Sequence, residues 1–194
     1  MVRVWSGLPG ETRLTAEFPL ESVSAMAVPD DGQAVLAATT QDERGALVWL
    51  AASERRMLAF GTFSALAFRR GSRDAAAADS VSNEVILFRN VAGEASPSLL
   101  AGASEGVAQP IGVAFSADGR KVLLAGREPE SLLAIDIDTG FKQLTPLGCR
   151  PDGLFPLGGN AVFRLTASAK SPVCIYDGDA PEPVISQIPA GVEQ

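Results

Sequence analysis

The residues able to do chemistry in this chain are defined first by one that is missing, because none of the 194 residues is histidine. That removes the Ser-His-Asp triad, imidazole acid–base catalysis and most haem and zinc ligation. The two cysteines, Cys149 and Cys174, are not spaced as a metal-binding pair and lack the usual histidine companions. They read first as buried free thiols. A disulfide within the last repeat is the second reading, and it would require an oxidising compartment. An enzyme built from this sequence would have to work with carboxylates, arginine or a bound metal.

Two segments resemble each other just ahead of apolar runs, Gln109-Pro110-Ile111-Gly112 and Arg150-Pro151-Asp152-Gly153. Arg150 and Asp152 are the first binding candidates. On the plainer reading Pro and Gly shape a turn while Arg150 and Asp152 pair with each other or with water, a contact worth little at a surface. Asp79, Asn83, Arg127, Glu128 and Glu130 occupy two further polar segments between apolar runs. Loops on a rigid scaffold are where binding residues gather, although each of these also reads as an ordinary loop residue. Asp118, Gly119, Asp138 and Gly140 are read as turn formers, since Asp accepts local backbone hydrogen bonds and Gly tolerates positive φ. Trp5, Trp49, Phe88 and Tyr176 fall at related positions on third strands of the repeat set out below, and are read as packing aromatics rather than a carbohydrate platform.

The elements that position these residues come from an internal repeat. Ser24 to Ala38 gives an apolar run, an Asp30-Asp31-Gly32 turn and a second apolar run. Ser64 to Ala78, Ile111 to Ala125 and Gly153 to Leu165 follow the same plan. Ala27, Ala67, Ala114 and Phe155 align at spacings of roughly 40 to 47 residues, the period of a propeller blade. Third runs follow at Ala46–Leu50, Val85–Phe88, Leu132–Ile137 and Val173–Tyr176. Fourth runs follow at Arg56–Phe60, Pro97–Leu100, Lys142–Thr145 and Pro183–Ile188. Four short antiparallel strands per period predict a blade, whereas a helical solenoid would show 3.6-residue spacing over longer stretches. The alanine run Ala75 to Ala78 is the one place that tempts a helix, and its register under Ala34–Ala38 predicts a strand.

Val2–Trp5 and Arg13–Phe18 resemble a third and a fourth strand. The expected fold is therefore an all-β, incomplete β-propeller. A half blade spans 1–21, and four blades span 22–61, 62–109, 110–148 and 149–194. An arc of this kind leaves blade edges exposed, and self-association through them is expected.

Ala114 to Ala125, reading Ala-Phe-Ser-Ala-Asp-Gly-Arg-Lys-Val-Leu-Leu-Ala, with Asp136-Ile137-Asp138-Thr139-Gly140 downstream, resembles a YVTN or YncE-like repeat. The likeness is best over Pro110 to Gly140 and weaker over Ser22 to Gly61. Leu123-Leu124-Ala125-Gly126 stands where that family carries its name-giving tetrapeptide. The resemblance implies a bacterial seven-bladed propeller of a kind often exported. It also brings in lactonase-type propellers, which set acidic and amide ligands around a central metal. No carboxylate recurs at the inner-strand entry of successive repeats, so no metal or other cofactor is expected.

With a formal charge of −7 and scattered Lys and Arg, no basic stripe exists to neutralise consecutive phosphates, and nucleic acid is not an expected partner. No apolar run approaches the roughly 20 residues of a membrane-spanning helix. The segment from Met1 carries no export address; a leader missing ahead of it would place the protein in the periplasm or outside the cell. The expected function is a non-catalytic binding or scaffold propeller that presents loops to a protein or small ligand. A metal-assisted, lactonase-type hydrolase is the alternative.

Overall fold

The computed structural model describes residues 1–6, 13–41, 44–52, 54–106, 108–157, 159, 161–167, 172–178 and 184–189. The short apolar runs all become strands, because each alternates side chains between two faces that must both be covered. Strands β1 (Val2–Ser6) and β2 (Arg13–Phe18) form a two-stranded sheet. The second sheet orders β3 (Ser22–Ala27), β4 (Ala34–Gln41), β5 (Arg44–Ala51) and β6 (Glu54–Phe60). The third orders β7 (Phe63–Phe68), β8 (Ala75–Asp79), β9 (Glu84–Arg89) and β10 (Ser96–Ala101). The fourth holds β11 (Pro110–Phe115), β12 (Lys121–Arg127), β13 (Glu130–Asp136) and β14 (Lys142–Pro146). The fifth holds β15 (Phe155–Pro156), β16 (Val162–Arg164), β17 (Val173–Asp177) and β18 (Val184–Ile188).

Every neighbouring pair is antiparallel and consecutive in sequence. Each four-stranded sheet is thus a meander, as a propeller blade is. The Ala75–Ala78 run lies wholly buried in β8, as its register predicts.

Period-2 alternation explains how the blades stack. In β4, Val35 and Ala37 face the two-stranded sheet and pack with Val2, Phe18 and Leu20. Ala34, Leu36 and Ala38 face the other way, onto Phe63, Ala75, Ala77 and Phe88 of the third sheet. Ala76 and Ala78 of β8 then meet Val113, Phe115, Val122 and Leu124 of the fourth. Leu123 and Ala125 of β12 meet Leu154, Phe163, Cys174 and Tyr176 of the fifth. The alanines of β8 are small because both faces of that strand are covered by neighbouring sheets. First strands lie side by side, β7 packing against β3 on one flank and β11 on the other.

Polar contacts repeat along the same axis. The Ser24 hydroxyl donates to the Phe63 carbonyl at 2.8 Å, and Ser64 donates to the Pro110 carbonyl at 2.6 Å. Both reach from one first strand to the start of the next. In the third copy Gly112 instead lets the backbone of Gly153 and Leu154 approach, and a Cβ there would lie 2.6 Å from the Leu154 nitrogen. At the rim, the Arg56 guanidinium donates to the Val91 and Gly93 carbonyls of the neighbouring sheet.

Three expectations change in detail. Cys149 and Cys174 are joined in a disulfide with their Cα atoms 6.6 Å apart, in place of the free thiols preferred from sequence. The bond ties the segment entering the fifth sheet to the face of β17. The first two strands of that sheet are shorter than the sequence pattern suggests, and part of its glycine-rich turn, Gly158 and Asn160, lies outside the described residues. Finally, Phe88 pairs with Ala75 and Trp49 with Leu36, so Phe88 aligns with Leu50 and faces back toward the second sheet.

Candidate functional site

Antiparallel meanders place alternate connections at opposite ends, so the blades present two loop faces. One face gathers the segments entering each first strand and the loops between second and third strands. The opposite face gathers the turns after the first and third strands. All seven sequence candidates fall on the first face.

There the structure brings Asn83, Gln109, Arg127 and Glu128 together. Asn83 adopts a positive φ of 55° and its Oδ1 accepts a 2.7 Å hydrogen bond from the Gln109 amide. The Gln109 side-chain amide donates to Glu128 Oε2 at 3.2 Å, and its carbonyl accepts from the Arg127 amide at 3.3 Å. Gln109 is the hub, itself at φ 50°. Arg127 ends β12 half-buried, and its Nε is buried without a hydrogen-bond partner among the described residues. Glu130 sits exposed across the ladder from Arg127.

Asp79 is placed differently from its companions. It is the last residue of β8 and buried, with Oδ2 accepting from the Thr62 amide at 2.8 Å. Its Oδ1 accepts from the Val81 and Ser82 amides at 2.8 and 3.0 Å. Both oxygens therefore hold the backbone of the loop and its neighbour. A loop of this build offers Val81 and Ser82 as its exposed tip.

Arg150 and Asp152 flank the buried Pro151 and are both exposed. Asp152 Oδ2 accepts from the Ala167 amide at 3.1 Å, and its own amide donates to the Leu165 carbonyl at 2.8 Å. No ion pair joins Arg150 to Asp152 among the described residues, so the mutual pairing considered from sequence is not what holds this segment. No group of three or more Cys, Asp or Glu is placed to hold a metal ion among the described residues.

The opposite face carries a feature that the sequence reading treats only as turns. Asp30, Phe68, Arg70 and Gly159, from the second, third and fifth sheets, line one open cavity of about 350 Å³. An adjoining cavity of about 250 Å³ is lined by Pro29, Asp30, Asp31 and Gly71–Arg73. Asp30 Oδ2 accepts from the Gly71 amide at 2.7 Å. Arg73 pairs with Asp31 and lies over the Trp49 ring, 5.7 Å from its centroid. The signal was present in the sequence as two charged turns at equivalent repeat positions. Only the stacking of blades shows that they converge.

Together these features define a β-propeller scaffold, and comparison with solved structures agrees. The β-propeller domain of Cps50 (Swd1) from Myceliophteria thermophila superposes with a TM-score of 0.63 at 13% identity, over 91% of this chain and 59% of that one. A nidogen/laminin complex gives 0.68 at 11% identity, over 90% and 68%. The dihydro-heme d1 dehydrogenase NirN, in complex with DHE, gives 0.60 at 21% identity, over 86% and 37%. The chain thus spans about six tenths or less of the first two structures matched, Swd1 and NirN. At these identities the likeness is one of fold. No family model matches the sequence, and no curated protein matches it. Among the described residues no helix is long and apolar enough to cross a membrane.

Proposed function

We propose that this protein is a non-catalytic binding propeller of the bacterial YVTN/YncE-like kind, and that its ligand, a protein segment or small molecule, is taken by the face carrying Gln109. The observation that carries this reading is the convergence of Asn83, Gln109, Arg127 and Glu128 from two blades onto one polar ridge. Asp79 and Asn83 fix the loops beneath that ridge, so contact with a partner falls to Arg127, Glu128 and the neighbouring Arg150 and Asp152. A preorganised ridge loses little conformational freedom when it binds. Swd1 and the nidogen of the laminin complex support a scaffold role by analogy of fold alone. Association of copies through apolar residues at the end of the stack, Val184 and Ile188, belongs to the same reading.

The lactonase-type alternative predicts a bound metal, and ligand linkage separates the two. A calcium titration at 100-fold excess over a metal site's Kd would stabilise a metal enzyme by about 2.7 kcal/mol. The binding propeller predicts an unchanged melting temperature. A saturable rise would overturn it in favour of the hydrolase.

A further inference from the structure

The turns between first and second strands superimpose in the second, third and fourth sheets. The amides of Gly32, Ser72 and Gly119 donate to the carbonyls of Pro29, Arg69 and Ser116 at 2.9, 3.2 and 2.9 Å. The residues that follow those acceptors, Asp30, Arg70 and Ala117, are therefore equivalent. The position after them does local turn work in two of the three copies. Asp31 and Asp118 each accept an amide two residues on, from Gln33 and Arg120 at 3.0 and 2.9 Å.

Asp30 and Arg70 have no such local role. Asp30 reaches out of its own sheet, and its Oδ2 accepts from the Gly71 amide at 2.7 Å. Its Oδ1 accepts no hydrogen bond among the described residues. Arg69 and Arg73 pair with Asp74 and Asp31. Arg70, between them in the same turn, makes no side-chain hydrogen bond or ion pair among the described residues. Yet Asp30 and Arg70, opposite in charge, line one cavity of about 350 Å³.

Phe68 lines it as well, half-buried at the end of β7 and held by Trp49, whose ring it meets edge-on at 6.2 Å between centroids. Gly159 contributes backbone alone, and a Cβ there would meet nothing within 4 Å. The cavity thus offers one cation, one anion and one aromatic ring, all carried by this chain's own hairpins. A volume of about 350 Å³ is at the small end of ligand pockets. A guanidinium without an internal partner suits a carboxylate, which its planar fork binds through two parallel hydrogen bonds. An aspartate oxygen without a partner suits an ammonium group. A small ligand that satisfies both must carry the two charges close together, and the ring beside them favours an aromatic body.

We propose that this cavity binds a free aromatic amino acid, with its α-carboxylate on Arg70, its α-ammonium on Asp30 and its ring against Phe68. The site lies on the loop face opposite Gln109, so the inference stands independently of the proposed function.

The test titrates the chain with millimolar phenylalanine and follows the Gly71 amide by NMR, which should shift saturably. Arg70→Ala should weaken binding more than about tenfold, as the loss of a charge-assisted hydrogen bond implies. It should melt as the parent does, because Ala117 fills the equivalent place in the fourth sheet. Asp30→Asn keeps an oxygen for the Gly71 amide and removes only the charge. It should weaken phenylalanine binding by about the same factor. N-acetyl-phenylalanine, which lacks the ammonium, should bind the parent more weakly than phenylalanine and should not respond to Asp30→Asn. Arg89→Ala, which removes an exposed arginine of the same sheet that lines neither cavity, should bind phenylalanine as the parent does. The absence of a saturable shift, or parent-like binding by Arg70→Ala, would overturn the proposal. Equal binding of phenylalanine and its N-acetyl form would overturn it too, because the site would then recognise a carboxylate alone.

Discussion

Gly119 shows what single residues decide in this fold. It sits at φ 68° in the turn between β11 and β12, and its amide donates to the Ser116 carbonyl at 2.9 Å. A Cβ there would lie 3.0 Å from Arg69 Nε, whereas at Gly140, with φ 71°, a Cβ would meet nothing within 4 Å. Gly140→Ala therefore carries only the conformational cost of positive φ, roughly 1 kcal/mol. Gly119→Ala should cost measurably more in urea unfolding, since Arg69 must also move; equal midpoints for the two would contradict the contact. The same turn holds Asp118, whose carboxyl is kept below its ordinary value by hydrogen bonds from the Ser116 hydroxyl and the Arg120 amide. A depressed folded value means its stabilisation is present above the ordinary value of 3.8 and is lost as pH falls through the folded one. Ser116→Ala should raise the Asp118 midpoint in an NMR titration, and an unmoved midpoint would assign the depression elsewhere. The Asp-Gly pairs were legible as turns because only short polar side chains and Gly suit them. What was not legible is that in the other turn Asp136, rather than Asp138, caps the Asp138 and Thr139 amides at 3.1 and 2.8 Å, because both aspartates satisfy the same local pattern.

At the scale of elements, apolar runs broken by turn residues place all four strands of the second, third and fourth sheets, since strand length and alternation follow from two covered faces. Register is harder to read. Phe88 and Trp49 look equivalent as aromatics near the end of third strands, yet a one-residue offset sends them to opposite faces. The polar ridge was partly legible: Asn83, Arg127 and Glu128 stand out as loop residues, but Gln109 acquires its role only because two blades meet there. The cysteines show the same limit, because a sequence separation of 25 between Cys149 and Cys174 says nothing about proximity. The disulfide closes that segment, which carries Arg150, Asp152 and the whole of β15 and β16. Closing a loop of that length stabilises by about 3 kcal/mol on the chain-entropy account. Cys149→Ser/Cys174→Ser should lower the unfolding free energy by about 2–4 kcal/mol and speed exchange in β16 and β17 while leaving β8 unchanged. A variant as stable as the parent would show that the loop is closed by packing alone.

Among the described residues each of the four apolar clusters joins two successive sheets, so stability is approximated as a sum of blade terms and interface terms. The second, third and fourth sheets are covered on both faces, and the first and fifth on one. Local opening should therefore cost least at the ends and most in the middle. Amide exchange should be slowest in β8 and β12 and fastest in β1, β2 and β18. Leu124 tests how far a disturbance travels, because it is fully buried between the third and fourth sheets. Leu124→Ala removes a side chain from a closed interface and should destabilise by roughly 2–5 kcal/mol. In a nearest-neighbour stack that loss accelerates exchange in β8 and β12, with β4 and β5 following less because they meet the third sheet through a separate interface built on Leu36, Trp49 and Phe63. Uniform acceleration across every sheet would mean that the blades open together as one cooperative unit, and the description of this chain as a sum of local interfaces would have to be given up.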